Sequence, residues 1–129
     1  MSKHVASFRT PRGQVEGLGA AHSGTHHFLQ QRISAVALVP LAIWFVIAAL
    51  GLVGANLAEV LVFFAEPVNA ILMFAFLFTA LYHISLGLQT IIEDYVHHDG
   101  AKLGCLILNR AFMWIVGGSA GFALLRIAL

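Results

Sequence analysis

Two apolar runs, Ile33 to Ala55 and Pro67 to Ile92, carry no charged residue, and a third, from about Leu103 to Leu129, carries only Arg110 and Arg126. A stretch of about 20 apolar residues spans the roughly 30 Å of bilayer hydrocarbon when coiled into a helix. A helix also pairs its backbone polar groups within itself, which lipid demands. The balance of the chain agrees. Of its 129 residues 60% are hydrophobic and 10% charged, with a mean hydropathy of +0.88. A soluble domain of this size carries about 25% charged residues. The expected fold class is therefore all-α integral membrane: three transmembrane helices, over about 33–55, 67–93 and 103–129, preceded by a polar N-terminal cytoplasmic arm, residues 1–32.

Other classes are disfavoured by what the chain lacks. The net charge is +1 and the few Lys and Arg are dispersed, so there is no basic patch for nucleic acid. Cys105 is the single cysteine; it forms no internal disulfide and reads as a small apolar packing residue.

Along the chain, the arm holds Lys3, Arg9, Arg12 and Arg32 with four histidines, His4, His22, His26 and His27, and glycines between them. A secretory signal would place its short apolar region earlier, so the arm is expected to be retained. Arg32 stands one residue before the first apolar run. It can snorkel to the headgroups or hold an anion, such as a carboxylate, at the membrane edge. Pro40 predicts a kink, tolerable where neighbouring helices satisfy the freed carbonyl. Residues 56–66 connect the first two spans, and their Leu61-Val62-Phe63-Phe64 suggests a connection on the membrane surface. Pro67 suits the first turn of a new helix. Glu93 to Gly100 reads as a polar loop closed by an Asp-Gly turn. In the third run, Gly117 and Gly121 stand in GxxxG spacing, which allows close helix approach. Three spans put the arm and the second loop on one side, with six basic residues there against Arg126 alone opposite. That places the N-terminus in the cytoplasm, or the matrix.

The second run is the one that carries chemistry. On a helix, Gly87, Thr90 and Asp94 all fall within about 40° of His83, among Leu, Ile, Phe and Ala. Polar groups facing lipid are costly, so such a stripe faces protein, cofactor or water. Mid-membrane, His83 can ligate haem iron, relay protons or bond a neighbouring helix. Gly87, one turn on, leaves room for something flat. Asp94 and Tyr95 lie about 17 Å further along, at the mouth. The spans hold no second histidine, so a haem held by His83 would need its other ligand from another chain.

His83…Gly87…Asp94-Tyr95 on the second of three spans, with His26…Arg32 before the first, resembles the hydrophobic membrane anchor subunits of succinate dehydrogenase, the succinate:ubiquinone oxidoreductase known as complex II. The local similarity covers about Thr25–Ser34 and Tyr82–Val96, and the arm's Gly-rich and His-rich style is similar to the bacterial branch nearest mitochondria. The resemblance implies that His83 is an axial ligand and metal-binding residue for haem b, shared with a partner cytochrome b anchor subunit. It implies that Arg32, and with it His26, belongs to the cofactor-binding region near the haem propionates. It assigns Tyr95 a hydrogen bond to a ubiquinone carbonyl, with Asp94 as its acidic neighbour in the quinone-binding site. Nothing is assigned to His27, Gln30 or Gln31. The implied partners are the cytochrome b, iron–sulfur and flavoprotein subunits and membrane lipid; the implied place is the bacterial inner membrane or the mitochondrial inner membrane. The implied activity, passing electrons from succinate oxidation to quinone, belongs to the assembly and not to this chain alone.

Two other classes fit the residues in outline. A haem-free structural anchor would need no His83, and a visible spectrum of the purified complex separates it from the first reading. A small proton-coupled transporter subunit would use His83 and Asp94 as a relay, but transporters are generally built on internal repeats, and the spans here carry none.

Overall fold

The computed structural model describes residues 21–129, with side chains from 24 onward. The arm's Lys3, His4, Arg9 and Arg12, and the side chain of His22, lie outside the described residues. Four helices follow one another: α1 (Ala21–Gly51), α2 (Leu57–Ala65), α3 (Pro67–Tyr95) and α4 (Asp99–Ala128). Three of them, from Gly24, Pro67 and Asp99, are 28, 29 and 30 residues of sufficiently apolar helix to cross a membrane. At 1.5 Å per residue they are about 42–45 Å long, enough to pass through the hydrocarbon and both headgroup layers.

Their boundaries differ from the hydropathy boundaries for local reasons. Helix α1 begins well before the first apolar run and takes in His26 to Arg32, because a helix persists in polar sequence that hydropathy counts as arm. It runs through Pro40 and ends in a turn at Gly54, whose φ of +81° favours a residue without a side chain. The connection over 56–66 contains α2, opened by a capping box. Asn56 Oδ1 accepts from the Glu59 backbone N–H at 3.0 Å, and the Glu59 carboxylate accepts from the Asn56 N–H at 3.0 Å. Pro67 stands in the first turn of α3 as expected. The Asp-Gly pair is not a turn: Asp99 and Gly100 open α4, with His98 as its N-cap, and the loop shrinks to Val96–His98. An aspartate in a first turn is favoured by the exposed N–H groups and the positive end of the helix dipole.

Helix α3 is the centre of the arrangement. It touches α1, α2 and α4, whereas α1 and α4 do not touch each other. On the α1 side, Phe45 and Phe76 stack with ring centroids 4.5 Å apart. On the α4 side, Phe74, Leu81, Ser85 and Gln89 lie about 160–240° around α3 from His83 at 100° per residue. The three spanning helices therefore form a row and not a closed bundle.

The α3–α4 seam is where the glycine spacing is used. A Cβ on Gly117 would stand 3.4 Å from Leu81 Cδ1, and one on Gly121 would stand 3.0 Å from Phe74 Cε2. The absent side chains let the two helices approach closely. At the other end of that seam Asn109, buried, donates from Nδ2 to the Ser85 carbonyl at 2.8 Å. Helix α2 is tied down by Asn69 Nδ2, which donates to the Phe63 carbonyl at 3.1 Å.

A row leaves two broad faces. Among the described residues only Ala70, Leu86 and Met113 are buried apolar side chains. Ile84, Leu88, Ile91 and Tyr95 line one exposed stripe of α3, at the 4-3-4 spacing that sets residues on one side of a helix. Leu29, Ile33, Val36, Ile43, Ile47 and Leu50 do the same on α1.

The seam geometry separates neighbouring glycines. Gly118 has open space where a Cβ would stand, so Gly118→Ala is expected to leave stability unchanged or raise it by up to about 1 kcal/mol through helix propensity. Gly121→Ile is expected to cost about 1–3 kcal/mol, because it forces Phe74 out of the seam. Thermal unfolding of the two variants in mild detergent checks the contrast.

Candidate functional site

His83 lies on α3 where that helix faces α1, and the polar atoms that meet it come from α1. Its Nδ1 is 2.9 Å from Ser34 Oγ, and its Nε2 is 3.4 Å from the Gln31 side-chain nitrogen. Gln31 and Ser34 are three residues apart, so successive turns of α1 present them on one face. His27, one turn before Gln31, continues that face.

Ser34 fits one protonation state of His83. The Ser34 hydroxyl lies 3.0 Å from the Gln31 backbone carbonyl and donates to it. With its proton directed there, the hydroxyl offers a lone pair to His83, an arrangement that suits the tautomer protonated at Nδ1. In that tautomer Nε2 carries the lone pair, which suits the amide N–H that Gln31 presents to it. Ser34 is only 5% exposed, so these bonds are made away from the surface.

Gly87 completes the site. A Cβ there would stand 3.7 Å from Gln31 Nε2, so the Gln31 amide lies over the glycine and against the imidazole. Gln31 is incompletely satisfied: its Oε1 is buried without a partner, as is His27 Nε2. A buried acceptor without a donor is costly, so the amide gains less from this position than Ser34, whose hydroxyl has a partner on each side.

The other residues singled out from sequence are dispersed around this point. Thr90 donates its hydroxyl to the Leu86 carbonyl at 3.2 Å and so is satisfied within its own helix. Asp94 is exposed at the end of α3. Tyr95, the last residue of α3, is 77% exposed and sits about 120° around the helix from His83, at the end of the Ile84–Leu88–Ile91 stripe. Its carbonyl accepts from His97 Nδ1 at 3.0 Å. Arg32 is exposed, with its guanidinium carbon 5.0 Å from the centre of the Phe28 ring, one turn back, a cation–π contact. His26 is exposed as well. Neither Arg32 nor His26 is on the face of α1 that meets His83.

On the α4 side a polar chain runs along the helix surfaces. Arg110 Nη2 donates to Gln89 Oε1 at 3.1 Å, and Gln89 Nε2 donates to Glu93 Oε1 at 2.8 Å. Arg110 thus reaches toward the loop end of α3, the direction in which a snorkelling side chain points.

Gln31, Ser34 and Asn109 are the site and seam residues that sequence reasoning passed over. The first two were legible in principle, since His27, Gln31 and Ser34 repeat at i, i+4 and i+7. Starting the first span at Ile33 divided that repeat between arm and membrane.

Residues 6–119 match the family described as succinate dehydrogenase/fumarate reductase transmembrane subunit. The chain is 34% identical over 120 residues to a succinate dehydrogenase hydrophobic membrane anchor subunit of Paracoccus denitrificans, covering 93% of this chain and 92% of the relative. It is 35% identical over 105 residues to the subunit of the same name in Rickettsia bellii, covering 81% of this chain and 84% of the relative. A succinate dehydrogenase membrane anchor subunit of Reclinomonas americana is 26% identical over 91 residues. No solved structure matches the chain.

Proposed function

The chain belongs to the succinate dehydrogenase/fumarate reductase transmembrane subunit family, and on that premise we propose that it joins two sites of the assembled enzyme: a haem b site at His83 and a ubiquinone site at Tyr95 and Asp94. It is a multi-pass membrane anchor subunit of succinate dehydrogenase. The partners would be a cytochrome b anchor subunit, an iron–sulfur subunit and a flavoprotein subunit. Its N-terminus would lie on the cytoplasmic side of a bacterial inner membrane.

The observation that carries the haem reading is the 2.9 Å contact between His83 Nδ1 and Ser34. An imidazole whose Nδ1–H is donated to Ser34 keeps its Nε2 lone pair for a metal. Gly87 leaves one side of the imidazole without a side chain, and the poorly satisfied Gln31 amide is what a ligand on Nε2 would displace. These residues fit a haem held by one histidine of this chain, with its second ligand from the cytochrome b subunit. Arg32, exposed at the polar end of α1, would pair with the propionates after leaving the Phe28 ring. Bound there, the haem would supply a one-electron carrier whose potential is set by its axial ligands and surroundings.

Succinate would lose two electrons and two protons at the flavoprotein, and ubiquinone would gain two of each at the membrane. The Tyr95 phenol would donate a hydrogen bond to a quinone oxygen as negative charge develops on it. Tyr95 stands at the end of an exposed apolar stripe, where a quinone ring and a partner helix can both reach it. Asp94, beside it and exposed, would carry protons from water toward the same oxygen.

Two substitutions test the two sites separately. His83→Ala is expected to shift or abolish the low-spin haem spectrum of the purified complex, and an unchanged spectrum would remove His83 as the ligand. Tyr95→Phe keeps the ring and removes one hydroxyl, so assembly should persist. Succinate-dependent quinone reduction should fall roughly tenfold to more than a hundredfold, from a lost charged hydrogen bond of about 1.5–3 kcal/mol. Reduction of an artificial dye that bypasses the quinone should stay near normal. A parallel fall in both activities would make Tyr95 an assembly residue, and no change in either would place the quinone elsewhere.

A further inference from the structure

We propose that Ser34 is the positioning residue of His83: its hydroxyl holds the imidazole in the Nδ1–H tautomer, orients the ring and raises the donor strength of Nε2 toward the haem iron. The inference rests on the reading of His83 as a haem ligand and adds a residue on another helix to that site.

The geometry supplies the argument. The Ser34 oxygen has two polar neighbours, the Gln31 carbonyl at 3.0 Å and His83 Nδ1 at 2.9 Å. Were the hydroxyl proton directed at Nδ1, two acceptor oxygens would face each other at 3.0 Å with no proton between them. Directed at the carbonyl, it satisfies both contacts, provided that Nδ1 is the donor. The carbonyl belongs to α1 itself, three residues back, so the acceptor lone pair offered to His83 is aimed by helix geometry and does not rotate freely. Ser34 is buried, and water does not compete for the bond.

An imidazole that donates its second N–H to a fixed acceptor is a stronger and better-oriented metal ligand, and losing such an acceptor commonly weakens metal holding by about 10–100-fold. A stronger donor also favours the oxidised iron, so removing the acceptor should raise the haem midpoint potential. A serine that merely packed against α3 would influence assembly but not the potential of haem that remains bound.

The test uses the purified complex carrying Ser34→Ala, Ser34→Thr or His83→Ala. Two quantities are read: the midpoint potential of the bound haem by redox titration of its visible band, and the rate of haem transfer to excess apomyoglobin. Ser34→Ala is expected to raise the potential and to speed haem loss about tenfold or more. Ser34→Thr keeps a hydroxyl that can bond the same carbonyl and is expected to restore both. If Ser34→Ala hinders assembly, Ser34→Cys takes its place, because a thiol of similar size is a poor acceptor; wild-type values there overturn the proposal. Unchanged potential and haem loss in Ser34→Ala, with haem still absent from His83→Ala, overturn the role of Ser34 and leave the haem reading standing. A haem spectrum unaffected by His83→Ala overturns both.

Discussion

Polar groups inside hydrocarbon must find partners within the protein, and in this chain they find them across the two seams of α3. His83 meets Ser34 and Gln31 of α1, and the Ser85 carbonyl meets Asn109 of α4. Each spanning neighbour is thus joined to α3 by at least one polar contact as well as by aromatic and glycine packing. Because α1 and α4 do not touch, each is set in register by its contacts with α3, with α2 packed against both α3 and α4. The two contacts differ in completeness. Ser34 is satisfied on both sides, whereas Gln31 Oε1 and Asn109 Oδ1 are buried without partners. The seam to α1 is therefore fully satisfied at Ser34 and incompletely satisfied at Gln31, directly beside His83 Nε2.

A row of helices is an unusual economy for a chain that must live in lipid. It buries few of its own side chains and leaves long apolar stripes on α1 and α3. Scattered exposed apolar residues would be unremarkable next to acyl chains. Regular 4-3 spacing over several turns, ending at Tyr95 on α3, gathers them on one side of each helix, open to lipid or to another helix. That agrees with a subunit of a membrane complex, in which neighbouring chains complete what this chain leaves open. It also gives two residues of one helix different surroundings: His83 faces along the row toward α1, while Tyr95 points out of it.

Much of this architecture was legible in the residues alone. Three long apolar runs, the third carrying only Arg110 and Arg126, dictate three spanning helices, since no other use of such lengths satisfies both backbone and side chains in lipid. Pro67 opening α3, the close approach at Gly117 and Gly121, and the standing of His83 as a partly buried ionisable group between helices followed from the same elementary chemistry. The family resemblance was carried by a few residues around His83, Tyr95 and Arg32.

What sequence could not supply was mutual placement. Hydropathy reports where polarity changes and not where a helix begins, so it cuts α1 at Ile33 and counts the turn holding Gln31 as arm. The Asp-Gly pair was read as a turn because its local preference is strong, yet the exposed N–H groups of a starting helix recruit aspartate equally well. The stripe His83–Gly87–Thr90–Asp94 looked like one unit because it shares an angular position on α3. Only the packing of α1 divides it, engaging His83 and Gly87 while Thr90 turns back on its own carbonyl and Asp94 remains at the surface. A helix's sequence determines which residues share a face; which part of that face is covered depends on where a second helix crosses it, and that is settled by tertiary structure.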